Sequence, residues 1–253
     1  MIIGEWDGGA VLLTHEQLVG RVTQIDGAPQ LSNHSTHVAG TLIGDGTGSS
    51  SMASDAKGMA PSASIEAYDF NNDDSEMTTF ASGGALISNH SYGSITGWRY
   101  SAADNIWQWW GLTANLSATG EDPKFGLYEG TAQAWDIIAN NAPYYLICKS
   151  AGNDRGDGPP GGGESFVDLL SGNTYAYNAS VHPAEDGPYD CIPTYGNAKN
   201  ILTIGAVNDV LNYTGPGSVS ISSFSGWGPT DDGRIKPDLV ANGISLLLSL
   251  IHI

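Results

Sequence analysis

At 253 residues, with 27 acidic against 9 basic side chains, the chain carries a formal charge of −18. That balance excludes nucleic acid and anionic membrane surfaces as partners and points to a solvated, acidic exterior. The length suffices for one α/β domain with a sizeable core, and 34 glycines without a Gly-x-y period suggest a loop-rich enzyme rather than a fibre.

The two cysteines, Cys148 and Cys191, make no disulfide framework and show no metal-ligand spacing. Met1-Ile2-Ile3 lacks the basic start and apolar core of a signal peptide, and no apolar run is long enough to span a bilayer.

In chain order, residues 1–6 read as a buried strand broken by Asp7-Gly8-Gly9. An Asp at the carboxyl end of a parallel strand stands where α/β folds place their chemistry; a plain turn is the other reading. The stretch Asn33-His34-Ser35-Thr36-His37-Val38-Ala39-Gly40-Thr41 reads as a helix N-terminus opened by the capping-type Asn33. Ala39 and Gly40 are expected to let that helix lie close to a neighbour. The positive helix end disfavours an extra proton on His34, as suits a general base. His34 and His37 stand i,i+3, not the i,i+4 of helical zinc peptidases, and no Glu follows His34, so a metal pair is not assigned.

A Gly/Ser loop over 44–54 leads to a strand over 65–68. Asp69 to Asp74 offers alternate oxygen ligands as calcium loops do, but the sixth position is Asp74 rather than Gly and the twelfth is Phe80 rather than Glu. Calcium is therefore not assignable. A helix is expected over 76–85 and a strand over 86–89, ending in His90-Ser91-Tyr92-Gly93. Four tryptophans between 98 and 124 read as a folded loop packing on the core. A helix over 129–140 and a strand over 144–149 follow, ending in Ser150-Ala151-Gly152-Asn153. A side-chain amide at such a strand end can donate to a developing oxyanion, or simply form a turn. After a Gly/Pro loop over 154–164 come a strand over 201–205 and a turn-rich surface region over 223–229. Alternating strands and helices imply a mostly parallel sheet covered on both faces.

Read together, five stretches resemble the subtilases, the subtilisin-like serine peptidases. They are Asp7-Gly8-Gly9, the 33–41 stretch, Asn89 to Gly93, Ser150 to Asn153, and Ser223-Phe224-Ser225-Gly226-Trp227-Gly228-Pro229 through Lys236-Pro237-Asp238-Leu239. The resemblance implies a three-layer α/β fold with helices on both faces of a mostly parallel central sheet. It implies serine endopeptidase activity, with Asp7, His34 and Asn153 catalytic. The order Asp, His, Ser and the oxyanion Asn are those of subtilisin itself and come from the resemblance. Ser91, Tyr92, Gly93, Ser150, Ala151 and Gly152 are expected to bind substrate. The resemblance further implies a polypeptide substrate and a secreted or extracellular location; a monomer is expected, and no metal or other cofactor is assigned, with calcium left open.

Two departures stand out. Ser35 occupies the place of the family's glycine, a small-for-small change. The Gly-Thr-Ser-x-Ala-x-Pro nucleophile motif is absent, and neither Ser245 nor Ser249 has its surroundings. The expectation is a catalytic domain over 1–243, incomplete before the nucleophile helix and inactive as given. A tail over 244–253 lies without resemblance. A non-catalytic peptide-binding module using the same cleft is the alternative.

Overall fold

The apolar character of β1 (Ile2–Asp7) puts it at the centre of a parallel sheet rather than at an edge, with five of its six residues buried. The structure, a computed structural model, describes residues 1–49, 53–117, 120–183 and 189–244. Ser245, Ser249 and the rest of the 245–253 tail lie outside the described residues. The described chain divides into two compact units, one formed by 1–92 with 134–149, the other by 93–133 with 150–244.

In the first unit β1 pairs in parallel with β3 (Ser64–Asp69) on one side and β4 (Ile87–His90) on the other. β2 (Val22–Gln24) extends β3, and β7 (Leu146–Ser150) extends β4, all parallel. Because side chains alternate faces, Ile3 shares one face with its registered partner Ile65 and with Ala67. That face packs in one cluster with Ala39 and Ile43 of α1 (Asn33–Ile43). The other face carries Trp6, stacked on Tyr68 with ring centroids 4.3 Å apart and met edge-on by Phe80 of α2 (Asp73–Ser82). Gly4 is required there, since a Cβ would sit 2.5 Å from the Trp6 ring and 2.7 Å from Phe80. Helices therefore cover both faces, and the fold is α/β with parallel strands, as the sequence implies.

α1 is amphipathic: Ser35, Thr36, Ala39 and Ile43 form its buried stripe. Its cap is Ser32 rather than Asn33. The Ser32 side chain accepts from the N–H of Ser35 at 3.1 Å, satisfying one of the donors a helix start leaves open. Ala39 is fully buried, but a Cβ on Gly40 would meet nothing within 4 Å, so only Ala39 serves close packing. α2 begins at Asp73, not 76. Asp73, Asp74 and Glu76 occupy its first turn, where the helix dipole favours negative charge. Acidic residues that mimic a calcium loop in sequence thus open a helix.

In the second unit β10 (Leu202–Val207) pairs in parallel with β11 (Leu239–Asn242). The tryptophan-rich stretch is not a loop. β5 (Trp98–Ser101) and β6 (Ile106–Trp109) form an antiparallel hairpin, extended by β8 (Ser165–Asp168) and β9 (Asn173–Ala176) into a four-stranded sheet. Register puts Trp98 opposite Trp109, and both pack with Phe166 and Tyr177 in a second core. α3 (Gly130–Asn141) starts in the second unit, and its residues from Ala134 on belong to the first. Among the described residues no helix is long and apolar enough to cross a membrane.

These helix contacts make a contrasting pair of substitutions informative. Ser32→Ala should destabilise the protein by about 1 kcal/mol through the lost cap. Gly40→Ala should stabilise it by about 1 kcal/mol, because Gly is unfavourable in a helix and the space is open. Urea titrations of both variants check this; destabilisation by Gly40→Ala would mean that α1 packs through Gly40 after all.

Candidate active site

Asp7 is the last residue of β1, and His34 is the second residue of α1. The structure brings them together: His34 Nδ1 lies 2.8 Å from each oxygen of the Asp7 carboxylate. The acid is buried, its side chain 4% exposed, while the ring is 59% exposed. A carboxylate only accepts, so Nδ1 bears the proton and Nε2 keeps its lone pair. The Asp7 hydrogen bond, opposed by burial and aided by the Asp7 charge, raises the pKa of His34 above its ordinary value. That is opposite to the direction expected from the helix end alone, because the carboxylate in contact outweighs a partial dipole charge. His37, one turn on, moves down through burial and the nearby His34.

Local hydrogen bonds fix this pair. The Asp7 Oδ1 atom also accepts from the N–H of Gly8 at 2.6 Å. Gly9 adopts φ +104°, and a Cβ there would lie 2.8 Å from the Gln30 carbonyl, so glycine is needed at that turn. Ser35 Oγ donates to the Gly9 carbonyl at 2.9 Å, and the Thr36 hydroxyl accepts from the N–H of Leu12 at 3.0 Å. The start of α1 is thus tied to the turn carrying Asp7. Ser35 is more than a tolerated replacement for glycine, a role that sequence pattern alone does not reveal.

Sequence reasoning also missed Glu5. It lies two residues before Asp7 on the same strand face, is 1% exposed, and neither carboxyl oxygen has a hydrogen-bond partner. Burial, with the Asp7 charge adding to it, raises its pKa well above the ordinary value, so the site favours the uncharged form of Glu5.

Of the expected substrate-binding residues, Ser91 and Tyr92 follow β4 in the first unit; Gly93 begins the second. Ser91 Oγ accepts from Asn89 Nδ2 at 3.0 Å. Ser150 ends β7, and Ala151, Gly152 and Asn153 follow it in the second unit, with Asn153 exposed. The N–H of Ala151 donates to the Ile204 carbonyl at 2.9 Å, and that of Gly226 to the Gly152 carbonyl at 3.1 Å. Arg155 clamps the loop further. Its Nε donates to the Ser225 carbonyl at 2.7 Å, a second nitrogen reaches the Ser222 carbonyl, and the guanidinium lies 4.2 Å from the Trp227 ring centre. Ser225 and Gly226 are buried while Ser223 and Pro229 are exposed, so the expected surface region over 223–229 is at the surface only in part. Among the described residues no group of three or more His, Cys, Asp or Glu could hold a metal ion.

A family model described as the subtilase family matches residues 12–251. The chain belongs to the subtilase family. This subtilase is 26% identical over 282 residues to the Serine protease/ABC transporter B family protein tagB of Dictyostelium discoideum, a match that covers 90% of the chain and 13% of that protein. It is 24% identical over 271 residues to tagD of the same organism, covering 92% of the chain and 14% of the relative. The chain therefore spans only a small part of these relatives. A solved psychrophilic protease shares the fold with a TM-score of 0.52 at 18% identity, over 96% of this chain and 66% of that one. A serine protease of Aeromonas sobria gives 0.51 at 17% identity, over 96% and 36%.

Glu5 generates a test of the electrostatics. An acid whose folded pKa is raised penalises folding once the pH exceeds its unfolded pKa, near 4.3 for Glu. The penalty is absent below that pH and grows until the folded form also ionises. Glu5→Gln should therefore gain stability over the parent as pH rises from 4 to 8. Urea melts at both pH values check this; a difference between the two proteins that stays constant with pH would show that Glu5 ionises normally.

Proposed function

We propose that this subtilase domain is built for serine endopeptidase chemistry on polypeptides. His34 Nε2 takes the proton of a serine hydroxyl as that oxygen attacks the scissile carbonyl, then passes it to the leaving amine. Asp7 holds the ring in the required tautomer and stabilises the imidazolium. The Asn153 amide, with the N–H of the serine, binds the developing oxyanion. Main-chain groups of Ser91, Tyr92, Gly93, Ser150, Ala151 and Gly152 bind the substrate backbone in an extended form. No cofactor takes part in these steps, and the domain acts as a secreted monomer. The observation that carries the reading is the His34 Nδ1 contact with a buried Asp7, at 2.8 Å to both oxygens.

Since the sequence contains no Gly-Thr-Ser nucleophile motif, the 253-residue chain should neither cleave protein nor label with a serine-directed fluorophosphonate. Grafting a family member's Gly-Thr-Ser segment and following helices after Gly243 should confer both. His34→Ala in that graft should cost about 10⁶ in turnover, the scale known for subtilisin, a member of this family. Labelling of the ungrafted chain at Ser245 or Ser249, or a graft indifferent to His34→Ala, would contradict the proposal. A folded graft that binds peptide without cleaving it would favour the peptide-binding module.

A further inference from the structure

Beneath the candidate site, on the face of the sheet opposite α1, lies a polar chain, buried at Tyr145, Ser88 and His90 and half-buried at Tyr92 and Asp73, that the proposed chemistry does not use. Tyr145 OH donates to Ser88 Oγ at 2.6 Å, and Ser88 Oγ lies 2.8 Å from His90 Nε2. His90 Nδ1 lies 3.1 Å from Tyr92 OH, which donates to Asp73 Oδ2 at 2.5 Å. Ser88 and His90 are fully buried.

Proton counting sets the direction of every bond. Tyr92 has one hydroxyl proton and spends it on Asp73, so its oxygen accepts from His90 Nδ1–H. In a neutral ring Nε2 then holds the lone pair and accepts from Ser88, whose oxygen accepts from Tyr145. All the donors point one way and the chain ends on a carboxylate in the first turn of α2. A second ring proton, at Nε2, would oppose the Ser88 hydroxyl. Burial and the nearby Lys149 charge likewise hold His90 in its neutral form, its pKa well below the ordinary value. The ring is further fixed by Trp6, stacked 5.1 Å away, and Trp135, 4.8 Å away.

The chain matters because of where it ends. Tyr92 is the second residue after β4, and Ser91 and Tyr92 supply the backbone that the proposed function offers to substrate. A fully satisfied buried network rigidifies what it connects. We propose that His90 is a positioning residue for the substrate-binding edge: as the central link of the one-way chain, it draws the Tyr92 phenol inward and leaves the Ser91 and Tyr92 backbone held in place for an extended peptide. The assignment of substrate to this edge rests on the proposed function; the locking of the edge by His90 does not.

The test uses the 253-residue chain and its His90→Phe, His90→Gln and Tyr92→Phe variants. Nitrogen NMR of the parent should show His90 as the Nδ1–H tautomer, with any protonation displaced below the ordinary histidine range while that of His34 is displaced above it. Amide exchange at Ser91 and Tyr92 should quicken at least about tenfold in His90→Phe and Tyr92→Phe, with Ile147 unchanged, and return part-way in His90→Gln, which can both accept and donate. Affinity for a capped, unstructured hexapeptide, Lys-Ala-Leu-Phe-Ala-Lys, should fall about tenfold in the same two variants. Unchanged exchange at Ser91 and Tyr92 in Tyr92→Phe, which removes a single oxygen and keeps the ring, would overturn the role of the chain even if His90→Phe failed to fold. A parent that binds no peptide, yet shows the exchange pattern, would count against the proposed function and leave the His90 lock standing.

Discussion

The first unit depends on a buried carboxylate that has to be satisfied. Asp7 ends a strand covered on both faces, and an unpaired charge there would cost more than the domain could offset. Its partners are supplied by the Gly8 N–H and by His34. That requirement fixes the approach of α1 to β1. It explains a glycine at position 9 in the left-handed region, a capping serine at 32, and a serine at 35 that holds the Gly9 carbonyl. Each of these residues serves the meeting of one strand end with one helix start, at the end of the sheet where α/β proteins place their chemistry.

Environment, more than residue type, decides the charges in this unit. Three histidines begin with the same intrinsic basicity and diverge. His34 moves up against a carboxylate, His37 moves down beside His34, and His90 moves down in an aromatic cage near Lys149. Two acids on one face of β1 differ in their partners: Asp7 carries hydrogen bonds, and Glu5, with none, has its pKa raised by burial and by the Asp7 charge. Groups pushed apart in this way are a physical signature of acid–base sites, although buried structural networks such as that around His90 also produce it. Geometry separates the two cases. His34 exposes its ring and leaves Nε2 available, whereas both nitrogens of His90 are engaged.

The parallel α/β class was readable from sequence because apolar runs and glycine breaks have direct local causes, whereas the Asp7–His34 pair followed from the resemblance of their two stretches to the subtilases, each residue alone fitting a turn or a cap as well. What escaped depended on distant partners. Glu5 looks like an ordinary outward residue of a strand, and only the covering of that face by α1 makes it a buried acid. The cap fell one residue early because Ser32 and Asn33 are both capping types, and the Ser35 N–H chooses between them. The tryptophan-rich segment was misread although its period was visible: Trp98 and Tyr100 alternate with Arg99, and Trp107 and Trp109 with Gln108. Its partner strands, β8 and β9, lie some sixty residues on and carry little apolar signal of their own. Arg155 has no motif; its clamp on Ser222 and Ser225 exists only once the two loops meet.

The central claim is that a buried Asp7 sets the proton affinity of His34, and the most direct measurement is the ring titration of His34 by NMR in the parent and in Asp7→Asn. An amide keeps the size of the side chain but removes the charge that favours imidazolium. The account requires the parent midpoint to lie above about 6.5, the ordinary value for histidine, and to fall in Asp7→Asn. Equal midpoints in the two proteins, with α1 intact by chemical shift, would show that Asp7 and His34 do not act as a pair and would remove the basis for the proposed chemistry.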